Sequence, residues 1–278
     1  MQVRAHAKIN LNLRILGRNA ATGFHDIETW MVPVSLSDEL QVEIDDQPGI
    51  RLSCSDPSLD PGPGNLAWRA ADVFLRETAR PGGATIVLQK NIPHGAGLGG
   101  GSSDAAAVLT ALNELSGGLL PCGQLESLAA GLGSDVPFFI RGTPATARGR
   151  GEILEPHPLP QTLHLLLFKP PFPVETAWAY SRWSSDASCP AAWTAQQIAG
   201  RVEIFNDLER PVFGKFILLP ALKQWLLAHS LVEAAAMTGS GSAMFALLRD
   251  PRGAEHLAAE AKAEFGDTLW TAACHSIP

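Results

Sequence analysis

The chain has few cysteines and no long apolar run, and both features limit the classes of protein to which it can belong. The four cysteines, at positions 54, 122, 189 and 274, are scattered without paired spacing, so neither a disulfide framework nor a cysteine-based zinc site is indicated. No apolar stretch approaches the roughly 20 residues that a membrane-spanning helix needs. The first residues lack the charged-then-apolar pattern of an export signal, and we therefore expect a cytoplasmic protein.

Basic charge is also scarce, since the net charge is −7 at pH 7. This balance gives no footprint for nucleic acid, which proteins bind through clustered lysine and arginine. An acidic protein can still bind a small polyanion, because charges beyond a screening length of about 8 Å contribute little. The composition thus leaves a small-molecule partner as the expectation, with neither a nucleic acid nor a membrane as partner.

The most informative segment joins a glycine-crowded loop to the start of a helix. Residues 93–106 read PHGAGLGGGSSDAA, with five glycines among the seven residues from Gly95 to Gly101. Apolar residues then follow the helical i, i+3, i+4, i+7 pattern, and Gly117 fits a helix C-terminus. A helix N-terminus carries roughly +0.5 charge, and glycines without Cβ let a phosphate approach the backbone. We therefore expect an anion site at this loop.

Three interpretations of the loop were open: a tight surface turn, a dinucleotide site, and a nucleoside triphosphate site. Five glycines exceed what a turn needs, which disfavours the first. Gly95, Gly97 and Gly100 fit the G-x-G-x-x-G string. However, Lys90–Pro93 separates the first glycine from the expected strand 84–89, and a ribose-binding acid is not evident. The run Gly-Leu-Gly-Gly-Gly-Ser-Ser-Asp at residues 97–104 favours a nucleoside triphosphate loop that lacks the Lys-Ser/Thr ending of the Walker motif.

Two polar residues lie together on a predicted N-terminal strand. Residues 3–15 alternate between apolar and polar side chains, which predicts a half-buried strand. Lys8 and Asn10 are two residues apart and therefore face the same side, about 6.6 Å from each other. Both are in reach of one small substrate, although a merely solvated polar face is the plainer alternative.

A single carboxylate stands between small residues and an apolar segment in the run 131–139, which reads GLGSDVPFF. The neighbours of Asp135 are expected to be buried, and a carboxylate there needs a partner. Asp135 is therefore a candidate catalytic group, with a turn or helix-capping role as the alternative.

An aromatic ring next to an imidazole suggests a nucleobase site at Gly23-Phe24-His25. Phe24 is placed to stack on a pyrimidine while His25 hydrogen-bonds its edge. The alternative is an ordinary core phenylalanine beside a surface histidine.

Taken together, these segments resemble the GHMP kinases, the family named for galactokinase, homoserine, mevalonate and phosphomevalonate kinases. Residues 93–106 are similar to the ATP loop of that family. Within it, the chain most resembles the members that act on a cytidine-diphosphate-linked methylerythritol. The alternation of strands and helices indicates an α+β fold, and the resemblance implies the two-domain GHMP kinase fold with the active site in the interdomain cleft. The pattern also predicts single strands over 145–154, 162–169 and 244–248. A proline-bearing stretch near residues 155–160 predicts domains at 1–155 and 156–278.

The resemblance also assigns roles to residues. It implies that Lys8 and Asp135 act on the hydroxyl being phosphorylated and that Asn10, Phe24, His25, Thr176 and Tyr180 bind the substrate. The family usually reads Asp-Gly-Tyr-His at positions 22–25, so this chain departs from it at Thr22 and Phe24. The change keeps ring stacking but loses a tyrosine hydroxyl. The implied ATP-binding residues are Asn65, Leu66, Lys90, Pro93, Gly95, Ala96, Gly97, Leu98, Gly99, Gly100, Gly101, Ser102 and Ser103.

Asn65 has a competing interpretation, because an asparagine that opens a helix is commonly its N-cap. Two further segments, 205–209 (FNDLE) and 237–243 (MTGSGSA), are similar to family segments. The family places the second loop beside the transferred phosphate. Here Thr238 and Ser242 replace a more usual serine and proline.

The resemblance implies ATP-dependent phosphorylation of the 2-hydroxyl of the cytidyl substrate, in the non-mevalonate route to isoprenoid precursors. No acidic or histidine cluster has metal-ligand spacing, so Mg²⁺ is expected to bind mainly through the ATP phosphates. Two alternatives stay open. One is a GHMP kinase for another small alcohol, homoserine or mevalonate, and the other is a nucleotide-binding regulator without catalysis.

Overall fold

A computed structural model describes residues 1–20, 23–184 and 189–278. Thr22, one of the two departures from the family pattern, lies outside the described residues. The strands in this part of the chain are β1 (Gln2–Arg18), β2 (His25–Asp45), β3 (Gly49–Cys54), β4 (Gly83–Gln89), β5 (Ala145–Gly149), β6 (Ile153–Pro156), β7 (His164–Lys169), β8 (Gln197–Ala199), β9 (Val202–Asn206), β10 (Val232–Met237), β11 (Met244–Leu248) and β12 (Trp270–His275).

The helices are α1 (Leu66–Glu77), α2 (Gly100–Leu115), α3 (Cys122–Leu132), α4 (Val136–Arg141), α5 (Thr176–Arg182), α6 (Glu209–Lys215), α7 (Leu218–Ala228) and α8 (Ala254–Phe265). Two single 3₁₀ turns add Ala191–Trp193 and Pro251–Gly253. This mixture confirms the predicted α+β class. Within the described ranges, no helix has both the length and the apolar character to cross a membrane.

The chain folds into two compact units, each built from separate stretches of sequence. Unit 1 contains residues 1–7, 37–92 and 99–143, and unit 2 contains residues 8–36, 93–98 and 144–278. The predicted division at 155/156 cuts the chain once in sequence order, and it stays a prediction.

Unit 1 is a helical layer on a small mixed sheet. The second half of β2 pairs antiparallel with β4 from Glu39↔Gln89 to Asp45↔Gly83, and β3 pairs parallel with β4. Apolar side chains of these strands pack against α1 to α4 in one core, with Phe74 and Leu109 fully buried. The sheet and α2 thereby fix the two ends of the segment that leads from β4 into the glycine-rich helix start.

Unit 2 contains further sheet strands and a separate four-stranded antiparallel sheet. Strand β1 pairs parallel with β9, with Asn12 opposite Phe205 and Leu13 opposite Asn206. The first half of β2 pairs with β5, which forms a hairpin with β6. The other sheet has the order β10-β11-β7-β12, and its apolar face packs against helices α6, α7 and α8.

One of the strands predicted from the sequence needs correction. The sequence predicted a single strand over 145–154, whereas the structure has the hairpin of β5 and β6. Gly149 and Gly151 adopt positive φ of 70° and 111°, and these conformations turn the chain where a continuous strand was expected.

The N-terminal strand also differs from the prediction. Alternation indicated a half-buried strand, but residues 7–11 of β1 are buried on both faces. Lys8 and Asn10 are only 4% and 3% exposed, which excludes a merely solvated polar face. Buried polar groups of this kind need partners, and the partners define the candidate site.

Candidate active site

Lys8 and Asn10 form the centre of a buried hydrogen-bond network in unit 2. The Nζ of Lys8 donates to Oδ1 of Asn10 at 2.6 Å, and Nδ2 of Asn10 donates to Oγ1 of Thr29 at 2.8 Å. The hydroxyl of Thr29 in turn donates to the carbonyl of Asn12 at 2.5 Å. Because the Thr29 proton is used there, its oxygen accepts from the amide, and this fixes the Asn10 carbonyl toward the lysine.

The glycine loop is anchored to the same strand. The backbone N–H of Lys8 donates to the carbonyl of Leu98 at 2.9 Å, and the N–H of Ala243 donates to the carbonyl of Ala96 at 3.0 Å. Ala96 and Leu98 are almost fully buried. A plain surface turn has no such anchors, so the structure disfavours that interpretation of the loop.

Gly97 brings the glycine loop close to the loop that follows β10. Its φ is 77°, and a Cβ at this position would overlap the carbonyl oxygen of Thr238. Thr238 also contacts the central network, because its Oγ1 accepts from the N–H of Asn10 at 3.0 Å. A Cβ on Gly239 would lie 3.4 Å from the Nζ of Lys8. Two glycine loops therefore meet beside the lysine ammonium in unit 2.

Helix α2 begins in unit 1 with the second half of the glycine-rich segment. Gly99 is its N-cap residue with φ of 73°, and its carbonyl accepts from the N–H of Ser103 at 2.9 Å. Gly101 lies near Leu66, because a Cβ there would be 3.7 Å from a methyl group of that leucine. The sixteen-residue helix directs its positive end toward this glycine-rich start.

Lys90 is held by two buried carboxylates in unit 1. Its Nζ donates to Oδ2 of Asp104 at 2.7 Å and also to Oδ2 of Asp38. Burial disfavours the charge of Lys90, but the carboxylates of Asp104 and Asp38 outweigh this effect and raise the lysine pKa. The Lys90 ammonium is thus already paired with two carboxylates. Its predicted role in binding ATP stays a prediction.

Asp104 is the carboxylate of that network whose pKa is raised. Burial, opposed by the Lys90 charge and assisted by the nearby Asp38 carboxylate, raises the pKa of Asp104 to about 7. Its Oδ1 is buried and has no hydrogen-bond partner among the described residues. Two carboxylates therefore share one ammonium at the first turns of α2.

Asp38 connects this network to the start of the glycine loop. Its Oδ1 accepts from the N–H groups of Asn91 at 2.6 Å and Ile92 at 2.8 Å. These two bonds fix Asn91 and Ile92 in the segment 90–93, the insertion after β4 that disfavoured a dinucleotide site.

Asn65 performs the capping role that was weighed against an adenine contact. Its Oδ1 accepts from the N–H of Ala67 at 3.0 Å, and its Nδ2 donates to the carbonyl of Asp60 at 3.0 Å. The capping explains why an asparagine opens α1. A contact of Asn65 and Leu66 with adenine stays a prediction.

Asp135 occupies the N-cap position of α4, but its carboxylate does not cap the helix. Its backbone is helical, with φ of −85° and ψ of −14°, and within the described residues the side chain accepts from no N–H of α4. Pro137 sits in the first turn, where a proline needs no partner for nitrogen. The capping alternative is therefore disfavoured, and the carboxylate stays a predicted catalytic group.

Aromatic rings gather around His25 in unit 2. The ring of His25 lies 5.6 Å from that of Tyr180 and 5.8 Å from that of Trp183. Partial burial lowers the pKa of His25, and the positive charge of Arg18 lowers it further. A neutral imidazole in an aromatic setting suits hydrogen bonding to an uncharged base edge.

Phe24 lies next to this cluster in sequence but is 52% exposed. The guanidinium of Arg150 covers one face of its ring at 4.1 Å. The Arg150 guanidinium therefore occupies one face of the ring on which a pyrimidine is expected to stack.

Thr176 contacts the second glycine loop instead of the aromatic rings. Its Oγ1 lies 2.8 Å from Oγ of Ser240, at the first residue of α5. Ser242, one of the departures from the family pattern, donates to the carbonyl of Phe172 at 2.6 Å. These two hydrogen bonds secure the loop 238–243 to residues 172 and 176, before and at the start of α5.

Several residues that contact the predicted site residues were not predicted from the sequence. Asp104 carried a signal, because a charged residue directly follows the two serines of the glycine loop. Trp183 also carried one, since it lies three residues after Tyr180 near the end of the same helix. Thr29, Asp38 and Arg150 are distant in sequence from their partners, and only the fold reveals them.

Comparison with known proteins places this geometry in a family. Residues 65–143 match the model of the GHMP kinases N terminal domain. The chain is 42% identical over 271 residues to the 4-diphosphocytidyl-2-C-methyl-D-erythritol kinase of Methylacidiphilum infernorum (isolate V4), an alignment that covers 96% of this chain and 93% of that protein. The chain belongs to the 4-diphosphocytidyl-2-C-methyl-D-erythritol kinase family. The resemblance inferred from the glycine loop is confirmed.

Solved structures agree with membership of this kinase family. A crystal structure of 4-(cytidine 5′-diphospho)-2C-methyl-D-erythritol kinase matches with a TM-score of 0.83 and 36% identity, covering all of both chains. The homoserine kinase of Cytophaga hutchinsonii matches with a TM-score of 0.64 but only 17% identity, over 98% of this chain and 94% of that one. The second similarity shows the GHMP kinase fold alone.

Proposed function

We propose that this chain is an ATP-dependent kinase that phosphorylates the 2-hydroxyl of 4-diphosphocytidyl-2-C-methyl-D-erythritol. The observation that carries the proposal is the backbone hydrogen bond from Lys8 to Leu98 at 2.9 Å. This bond ties a buried lysine to a glycine-rich phosphate loop in a chain of this family. The reaction belongs to the non-mevalonate route to isoprenoid precursors.

The chemistry assigned to Lys8 and Asp135 follows from what phosphoryl transfer needs. The transferring group carries dispersed negative charge, so catalysis is mainly positioning and electrostatic stabilisation. Lys8 supplies a positive charge to that group, and Asp135 accepts or orients the proton of the attacking hydroxyl. The network of Asn10 and Thr29 keeps the Lys8 side chain in one orientation.

The loop 93–103 binds the ATP phosphates through its backbone. Glycines at this loop let phosphate oxygens approach N–H groups, and the positive end of α2 favours the negative charge. In the described part of the chain, no cluster of His, Cys, Asp or Glu is arranged to hold a metal ion. Mg²⁺ keeps several waters and binds substrate phosphates, so it would be held mainly by phosphate oxygens and water, where it neutralises phosphate charge.

The cytidine end of the substrate is assigned to His25 and Tyr180, with Phe24 adjacent to His25 in sequence and Thr176 at the first residue of α5. Aromatic rings stack on a base, and the neutral His25 imidazole recognises its hydrogen-bonding edge. This base pocket disfavours homoserine and mevalonate as substrates, because neither carries a base.

The test is ADP release from Mg²⁺ and ATP with the cytidyl substrate, homoserine and mevalonate in parallel. The control is Asp135→Asn, which keeps the shape of the side chain and removes its charge. Turnover confined to the cytidyl substrate and lost in the variant supports the proposal. Turnover with homoserine or mevalonate instead overturns the substrate assignment, while ATP binding without any turnover favours a non-catalytic regulator.

A further inference from the structure

The segment 205–209, which the sequence matched to the family without giving it a role, contacts the loop that follows β10. Asn206 ends β9 and is only 3% exposed. A buried amide needs partners for its carbonyl and its NH₂ group. Among the residues that the structure describes, the Asn206 side chain bonds backbone groups.

Asn206 holds two carbonyls of the β10 loop at once. Its Nδ2 donates to the carbonyl of Met237 at 2.8 Å and to that of Gly239 at 2.8 Å. Its Oδ1 accepts from the N–H of Leu208 at 2.9 Å, which fixes the orientation of the amide. The side chain therefore clamps the first residues of the loop.

The clamp is itself tied to the strand that carries Lys8. The N–H of Asp207 donates to the carbonyl of Leu13 at 2.9 Å, and Oδ2 of Asp207 accepts from the N–H of Ile15 at 2.9 Å. Leu13 lies opposite Asn206 in the parallel pairing of β1 and β9. Asn206 thus has a fixed position relative to β1.

Glu209 secures the same loop from the other side. It is fully buried, and its Oε1 accepts from the N–H of Met237 at 2.9 Å. Its Oε2 accepts from Nζ of Lys223 at 2.6 Å, so the charge is paired. Both backbone polar groups of Met237 are therefore held by the segment 205–209.

The clamped loop lies directly against the lysine. Gly239 has φ of 55°, and a Cβ there would lie 3.0 Å from the carbonyl oxygen of Gly97 and 3.4 Å from Nζ of Lys8. The adjacent Thr238 accepts from the N–H of Asn10. A small movement of Gly239 would change the space available to the ammonium.

We infer that Asn206 is a positioning residue, which fixes the backbone of Gly239 beside the Lys8 ammonium by holding the carbonyls of Met237 and Gly239. The inference rests on the proposed function, in which Lys8 acts on the transferring phosphoryl group. A misplacement of about 1 Å by a residue outside the reacting groups is enough to lower a rate about 100-fold.

The test compares Asn206→Ala with a matched control, Asn113→Ala. Asn113 is another buried asparagine that bridges backbone groups, since its Nδ2 donates to the carbonyl of Leu120 at 2.9 Å and its Oδ1 accepts from the N–H of Leu120 at 2.9 Å. Each variant loses one side-chain amide and its hydrogen bonds to the backbone, three for Asn206 and two for Asn113. Two readouts are taken on folded protein: kcat and KM, and the rate of reductive methylation of Lys8 by peptide mass spectrometry.

We expect Asn206→Ala to lower kcat about 10- to 100-fold, with KM for both substrates changed by less than about 3-fold. Lys8 should be methylated several-fold faster in this variant, and Asn113→Ala should show neither effect. The inference is overturned if the two variants behave alike, or if only KM rises. Because methylation needs no substrate, it decides the inference even if the wild type fails to turn over the cytidyl substrate. If Asn206→Ala does not fold, Asn206→Ser, which keeps a hydroxyl donor, replaces it.

Discussion

The ammonium of Lys8 donates to the amide oxygen of Asn10 at 2.6 Å, and both side chains are buried. A lysine loses hydration when it is buried, so its charge must be compensated by fixed dipoles or by a bound anion. Asn10 supplies a dipole, and the neighbouring glycine loop is suited to an anion. In the proposed function, this arrangement would place the lysine charge beside the transferring phosphoryl group.

Replacing Lys8 should therefore damage the chemical step. Lys8→Gln is expected to lower kcat about 10²- to 10³-fold, the range seen when one stabilising group is removed from a transition state. Steady-state ADP release measures it, and Lys262→Gln on α8 is the control. An unchanged kcat in Lys8→Gln would show that this lysine has no part in catalysis.

Asp135→Asn should lower kcat about 10²- to 10⁴-fold if the carboxylate accepts the hydroxyl proton. Because the change leaves the loop 93–103 intact, the affinity for ATP should stay close to that of the wild type. Titration with a fluorescent ATP analogue checks the affinity. Retention of full turnover would exclude Asp135 as the base or orienting group.

Gly97→Ala should impair use of ATP, because a Cβ there would overlap the Thr238 carbonyl. Gly118→Ala is the matched control: φ is 75° at Gly118 and 77° at Gly97, but around Gly118 a Cβ meets no described atom within 4 Å. Both variants pay a similar left-handed strain of about 1–2 kcal/mol. Only Gly97→Ala should raise KM for ATP or lower kcat, and equal kinetics in the two variants would contradict a role for this contact.

Tyr180 should contribute to binding of the cytidyl substrate. Tyr180→Leu is expected to raise KM for that substrate about 5- to 100-fold, because stacking of a base on an aromatic ring is worth about 1–3 kcal/mol. KM for ATP should change little. Tyr180→Phe keeps the ring and should stay near the wild type, so a loss as large as that of Tyr180→Leu would assign the effect to the hydroxyl.

The network of Lys90, Asp38 and Asp104 should make stability depend on pH. The pKa of Asp104 is raised from 3.8 to about 7 in the folded chain, so the folded state binds this proton more tightly than the unfolded state. The stabilisation is complete below about pH 4 and is lost as the pH rises through about 7. The free energy of unfolding of the wild type should therefore fall between about pH 4 and pH 7.

Asp104→Asn removes the titrating group and keeps its shape. We expect the variant to have the higher Tm at about pH 8, with a difference that shrinks toward about pH 4. Thermal unfolding across that range checks it. Asp72→Asn, which breaks an exposed i,i+4 pair with Arg76 at 3.0 Å, should change Tm little at any pH. A lower Tm for Asp104→Asn at about pH 8 would contradict the raised pKa.

Local sequence signals predicted the glycine loop, its helix and most strands correctly. The start of α1 at Asn65 and the strand Met244–Leu248 follow from capping and from a short buried apolar run. These features depend on neighbours in sequence. The hairpin of β5 and β6 was missed because two glycines within three residues were not weighed as a turn.

The candidate site could be predicted in part. Lys8 and Asn10 were found because they share the polar face of an alternating strand and the family resemblance gives them a role. Thr29 and Thr238, which bond Asn10, and Asn206, which bonds the backbone around Thr238, are far away in sequence, and their contacts depend on strand pairing and loop closure. Alternation also cannot distinguish a strand with one buried face from a strand buried on both, as in residues 7–11.

In the proposed reaction, phosphate is transferred to the 2-hydroxyl of the cytidyl substrate. A ³¹P NMR spectrum of the product made from ATP, recorded without proton decoupling, tests this position. Carbon 2 carries a methyl group and no hydrogen, so we expect a new phosphomonoester signal without splitting by a neighbouring proton. A split signal would place the phosphate on another hydroxyl, and the absence of any new signal while ATP binds would contradict the proposed activity.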